Sequence, residues 1–194
     1  AFFATMAQKY GSKPNVIYEP WNEPTDQSAS SIKDWCQVMI NIIRQYDPDN
    51  LVICGSGTWS QYPNSYSISD PNVAYTVQCY FDDGNGANHR SQFYNNVAAA
   101  MNMGNAVFVT EFGANYGTTS GSSDIIAKCQ EWKSSMCAWS LNDKVEPWSI
   151  FCSGSGTSCL TDVGNFYKSK LTTWPDADNG GSCTEVAITG QIEA

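Results

Sequence analysis

Two glutamates stand where short apolar runs break off. In Asn15–Pro24, NVIYEPWNEP, the run Val16-Ile17-Tyr18 leads into Asn22-Glu23-Pro24. In Ala106–Gly113, AVFVTEFG, the run Val107-Phe108-Val109-Thr110 delivers Glu111. Val, Ile and Tyr favour strands, and Pro20, Pro24 and Gly113 stop them. Each signal has a plain reading as well: Asn-Glu-Pro also makes ordinary turns, and a strand-end acid is often an ion-pair partner. Facing each other, two carboxyl groups are the minimal equipment for cleaving a glycosidic bond. One must be protonated to donate to the leaving oxygen, and the other ionised to attack the anomeric carbon. Asn22, Tyr80 and Trp139 supply hydrogen bonds and a stacking face. Trp21, Trp59, Tyr62, Tyr66, Tyr116 and Trp148 fall in loops expected on the same side, and aromatic faces stack on pyranose rings.

Positioning such a pair requires strands that run in one direction. Helical spacing marks 1–10, and strand patterns mark 15–19, 51–54, 73–80, 106–111 and 136–140. Amphipathic helices are expected over 32–46, 91–103, 124–133 and 166–171. Residues 60–72 and 141–161 read as long loops. Short apolar strands alternating with helices mean a parallel sheet with helices outside. Chemistry gathers after each strand, at Glu23, Trp59, Tyr80, Glu111 and Trp139, as at the C-terminal end of a (β/α)8 barrel. The alternative is an open doubly wound sheet, for which no G-x-G-x-x-G fingerprint is present. Residues 1–174 read as one domain, and 175–194 as a polar linker or tail.

Composition narrows the partners. The 194 residues carry 19 acids against 10 basic residues, a formal net charge of −9. Such a surface repels nucleic acid and anionic membrane. No run of about 18 apolar residues is present to span a bilayer. The eight Cys lack paired zinc spacing and there is one His, His89, so no metal or cofactor is expected. Asp82-Asp83 before Gly reads as a turn rather than a calcium site. An even Cys count in an acidic chain suggests disulfides, an oxidising compartment and secretion, with Cys152 and Cys159 the easiest pair to close. The plain reading of the Cys is several buried free thiols. No leader is visible, and any leader is expected to have been removed before Ala1.

At this point the residues carry a resemblance. NVIYEPWNEP is similar to the fourth-strand motif of glycoside hydrolase family 5, AVFVTEFG to its seventh-strand motif, and CAWSLNDKVE to its eighth strand and following loop. The match runs from about residue 1 to 174, corresponding to strands four to eight of a (β/α)8 barrel. The resemblance implies a secreted, retaining endo-β-1,4-glucanase acting on cellulose or a related β-glucan. It implies Glu23 as acid/base, Glu111 as nucleophile, and Asn22 as the amide that binds the 2-hydroxyl. Tyr80 matches the tyrosine beside the nucleophile, Trp139 a sugar platform, and Lys144 and Glu146 polar positions of the last loop; Trp59 joins them as a sugar-binding aromatic. Mannanase or another β-1,4-glycanase activity, or a non-catalytic glucan-binding remnant, are the alternatives. One departure is Gln78, where the family usually has His. The other is the lack of a match to the first three strands, so an upstream segment or a second chain is expected to complete the barrel.

Overall fold

The computed structural model describes residues 2–81, 86–114 and 118–173, with side chains described at all of these but 86–89. The Asp82-Asp83 turn, Tyr116, Trp174, Cys183 and the proposed tail lie outside the described residues, and so does the side chain of His89. The backbone of His89 belongs to a helix.

The sheet is parallel throughout. Strands β1 (Val52–Cys54), β2 (Val73–Cys79), β3 (Ala106–Phe112) and β4 (Met136–Ala138) follow one another in the order β1-β2-β3-β4. A doubly wound sheet reverses its strand order part-way. Here every crossover steps in the same direction, which sends the helices to one face and leaves the other as a barrel lumen. Two apolar clusters on the helix side hold this arrangement. One joins Val77, Val109 and Phe112 of the sheet to Phe93, Val97, Ile125, Ile126, Val163 and Tyr167 of the helices. The other joins Val52, Cys54 and Tyr75 to Ala7 of α1 (Phe2–Tyr10) and to α2 (Ala29–Ile43).

Helix α2 shows how the sequence dictates this. Ser28 caps it, accepting from Ser31 N at 3.2 Å. Ile32, Cys36, Ile40 and Ile43 then recur at three- and four-residue spacing, and all are buried. Each buried isoleucine contributes about 1.5–3 kcal/mol, and Ile40→Ala would cost about 2–5 kcal/mol. The helix ends at Ile43 rather than 46. There Arg44 turns its guanidinium to Asp70, Asp47 O, Asn50 O and Asn72 O.

The expected strand at 15–19 is reduced to a single parallel bridge between Tyr18 and Val52. Tyr18 N donates to Leu51 O and Ile53 N to Tyr18 O. Among the described residues only one flank of this segment is paired, and Pro20 has no N–H to continue the ladder. The tyrosine is instead anchored by its side chain, whose hydroxyl donates to buried Asp47 at 2.7 Å.

Three helices begin earlier than the apolar pattern indicates: α4 at Gly86 (Gly86–Asn102), α5 at Ser120 (Ser120–Trp132) and α6 at Asp162 (Asp162–Thr172). Their opening turns are built from Gly, Ser, Asn and Asp, which carry little apolar periodicity. Thr161 caps α6 by accepting from Gly164 N at 3.0 Å. The sulfur atoms of Cys152 and Cys159 lie within disulfide distance, whereas Cys36, Cys54, Cys79 and Cys129 are buried free thiols.

Candidate active site

Glu111 leaves β3 beside the phenol of Tyr80, which follows β2. The Tyr80 hydroxyl donates to Glu111 Oε2 at 2.6 Å. The tyrosine is seated by Trp148, edge-on at 5.6 Å between ring centroids, and by the bare backbone of Gly113. A Cβ at Gly113 would lie 2.5 Å from Trp148 Cδ1 and 2.7 Å from Tyr80 Cδ1. Gly113, which reads in the sequence as a strand breaker, is therefore the clearance that lets Tyr80 reach Glu111.

Glu23 is held from the other side. The Trp21–Pro24 backbone crosses close over Gly55, where a Cβ would meet Trp21 O at 2.8 Å. Trp59 N then donates to Pro24 O at 2.9 Å, and Thr58 N to Thr25 O at 3.3 Å. These donors come from α3 (Gly57–Ser60), a single distorted turn in which Thr58, Trp59 and Ser60 all have φ near +55°. Left-handed backbone costs non-glycine residues roughly 1–2 kcal/mol each, and the two bonds to the Glu23 loop help to hold it. The turn leaves Trp59 51% exposed, and Trp59 and Glu23 line one cleft together with Gln61, Gln78, Tyr80 and Gln92.

Both carboxyl groups hold their protons more tightly than an ordinary glutamate, with different causes beside burial. Burial raises the affinity of Glu23 for its proton, and the charge of Glu111 raises it further. Burial also raises Glu111, by more than the Tyr80 hydrogen bond lowers it. Glu111 thus has a donor that favours its ionised form, and Glu23 has a neighbouring negative charge that favours its neutral one. Neither takes part in an ion pair among the described residues.

Asn22 accepts from Gln78 Nε2 at 2.8 Å, and Gln78 is only 3% exposed. Trp139, after β4, is 42% exposed. Glu146 accepts from Asn142 Nδ2 at 2.6 Å and from Ser140 Oγ at 3.3 Å, tying the last loop to itself, and Lys144 is exposed. Two loop aromatics are placed elsewhere. Tyr66 is buried, with its hydroxyl on Cys36 Sγ and Gly55 O. Trp21 stacks edge-on against Trp35 in a separate groove with Pro20. The sequence reading also passed over Glu19, which sits at the sheet next to Thr76 and Thr110. Strict alternation from core-facing Tyr18 marks it as lumen-facing.

The family described as Cellulase (glycosyl hydrolase family 5) matches residues 1–145. The chain belongs to glycoside hydrolase family 5. Among curated relatives of this family 5 chain, Endoglucanase Z of Dickeya dadantii is 38% identical over 184 residues, covering 90% of the chain and 42% of the relative. Endoglucanase E-5 of Thermobifida fusca is 32% identical over 193 residues, covering 88% and 40%. The crystal structure of the catalytic domain of Thermobifida fusca endoglucanase Cel5A superposes with a TM-score of 0.79 at 29% identity. That match covers 89% of this chain and 62% of that one. A further structure of that domain, with the same score, is titled as a complex with cellotetraose. The family 5 chain therefore has the (β/α)8 fold of its relatives over part of the barrel, and spans about two-fifths of the curated relatives' length.

Proposed function

We propose that this chain carries the catalytic half of a retaining endo-β-1,4-glucanase. The observation that carries the reading is the Tyr80-anchored carboxylate of Glu111 in electrostatic contact with Glu23. Glu111 attacks the anomeric carbon while Glu23 gives its proton to the leaving oxygen, and the glycosidic bond breaks as the glycosyl–Glu111 ester forms. Esterification removes the Glu111 charge, so Glu23 loses that part of its raised proton affinity, burial supplying the rest, and acts as base. It takes a proton from water, whose oxygen attacks the anomeric carbon and frees Glu111. Asn22 donates to the 2-hydroxyl, and Trp59 and Trp139 are platforms for sugar rings. Lys144 and Glu146 are polar groups of the last loop that can touch sugar. The endoglucanase relatives and a neighbour in complex with cellotetraose support this substrate class. Secretion fits the Cys152–Cys159 disulfide.

The lumen face of the sheet carries Glu19 and Cys137 exposed. A barrel closes only when both sheet edges find partners, so we propose that residues outside this chain complete it. Release of reducing sugar from carboxymethylcellulose tests the reading. It should be feeble for residues 1–194 alone and strong once roughly 100 residues of upstream barrel are joined to them, on the usual barrel size. A completed barrel that binds the polymer without cutting it would favour a glucan-binding remnant, and one that cuts only mannan would favour the mannanase reading.

A further inference from the structure

A chain of polar groups runs across the lumen face from Glu19 to Asn22. The carboxylate of Glu19 hydrogen-bonds the hydroxyls of Thr76 and Thr110. Those two hydroxyls also touch each other. Gln78 Nε2 reaches Thr110 Oγ1 at 3.4 Å and Asn22 Oδ1 at 2.8 Å. An ionised carboxylate only accepts, and a threonine hydroxyl has one hydrogen to give. Whether Thr110 gives its hydrogen to Glu19 directly or to Thr76, which passes its own on, that hydrogen is spent toward Glu19. The Thr110 oxygen must then accept from Gln78, which turns Nε2 rather than Oε1 toward it. The second hydrogen on Nε2 goes to Asn22 Oδ1. The Asn22 amide nitrogen is thereby left off the network and available as a donor.

We propose that Glu19 is a positioning residue that sets the direction of this network and so presents Asn22 Nδ2 as a donor to bound sugar. The inference rests on the reading of Asn22 as a sugar-binding amide. Gln78 is buried, and its Oε1 has no partner among the described residues; the flipped amide would put Nε2 in that partnerless place and would need a hydrogen from Thr110 for Oε1. The acceptor role of Glu19 is what holds the amide against that flip. The titratable groups in reach of Glu19 are Glu111 and the thiol of Cys137. Although the residue as a whole is exposed, partial desolvation of its carboxyl group raises its proton affinity, the Thr110 and Thr76 hydroxyls lower it, and Glu111 raises it again, with a net rise. On acidification Glu19 gains a proton, becomes a donor, and the direction is lost.

Side-chain amide NMR of the completed barrel tests this without sugar. In the wild type the Gln78 Nε2 hydrogens should exchange slowly. Glu19→Leu and Thr110→Val should each abolish that protection while the backbone amides of β2 and β3 stay protected. Glu19→Gln keeps an acceptor oxygen and should retain most of it. Cellotetraose affinity of the completed barrel should fall about tenfold in Glu19→Leu and in Thr110→Val, as for loss of one buried hydrogen bond. The double variant should be no weaker than either single one. Unchanged Gln78 protection in Glu19→Leu, or losses that add in the double variant, would overturn the proposal. A wild-type barrel that binds no cellotetraose would overturn the reading of Asn22 instead, a failure told apart because the amide signal is read without sugar.

Discussion

The Tyr80 hydroxyl donates to Glu111 Oε2 at 2.6 Å, a hydrogen bond to the charged form that has no counterpart at Glu23 among the described residues. A hydrogen bond to the charged form lowers a carboxyl pKa. Tyr80→Phe should therefore raise the pKa of Glu111 and move the acid limb of the pH–rate profile to higher pH. Hydrogen bonds to charged groups contribute about 1.5–3 kcal/mol, so turnover should fall roughly 10–100-fold. An unmoved acid limb would remove Tyr80 from this role.

Gly113→Ala places a methyl group against Trp148 and Tyr80. Overpacking should cost about 1–3 kcal/mol in urea unfolding. By pushing Tyr80 off Glu111 it should also shift the acid limb in the same direction as Tyr80→Phe. A variant that is destabilised but has a wild-type profile would show that the tyrosine has another seat.

Glu23 illustrates a conflict between stability and chemistry. Its folded-state pKa is raised above 4.5 by burial and by Glu111. A raised carboxyl costs stability above its folded pKa, and the cost fades as pH falls through that value toward the unfolded one. Glu23→Gln should therefore melt higher than wild type at neutral pH, with the two curves converging in acid. Its hydrolysis of ordinary glycosides should fall by orders of magnitude, while substrates with good leaving groups should still react in the first step. Melting curves across pH, read beside those rates, check both halves.

Asp47 works in the opposite sense. It is fully buried; burial raises its pKa, but bonds from Tyr18, Asn50 and Asp49 together bring it below the ordinary value. A depressed carboxyl contributes stability above its unfolded pKa, about 3.9, and loses it as pH falls through the folded value. Asp47→Ala leaves the buried Tyr18 hydroxyl without its acceptor and should cost about 1–3 kcal/mol at neutral pH. Denaturant titrations below about pH 4 should show that penalty shrinking. The Tyr18 bridge that precedes Glu23 should loosen with it, visible as faster amide exchange at Ile53.

The strand-end glutamates were legible in the sequence because β-branched runs stop abruptly at Pro and Gly, and a parallel sheet presents its side chains at those ends. The order of elements was legible for the same reason. Helix starts at 86, 120 and 162 were not, since Gly, Ser and Asn in an opening turn look like loop until packing fixes them. The segment around Tyr18 shows the reverse error, with strand propensity intact but a ladder on one flank only. Trp21 and Tyr66 looked like cleft aromatics from their loop positions. Whether a loop residue faces in or out is set by tertiary contacts such as Tyr66 on Gly55 O, which no local pattern encodes. Gln78 looked like a weakened substitute for a histidine, and its bonds to Asn22 and Thr110 emerge only when three segments meet.

The assignment of Glu111 as nucleophile is tested most directly by trapping the glycosyl-enzyme. A 2-fluoro cellobioside with an activated leaving group forms the ester quickly and hydrolyses it slowly, so the completed barrel should gain one glycosyl mass. Fragmentation of the peptide containing Thr110-Glu111-Phe112 should place that mass on Glu111, and Glu111→Gln should take up none. Label on Glu23, Glu19 or Glu146 instead, or an active enzyme that takes up no label, would contradict the account.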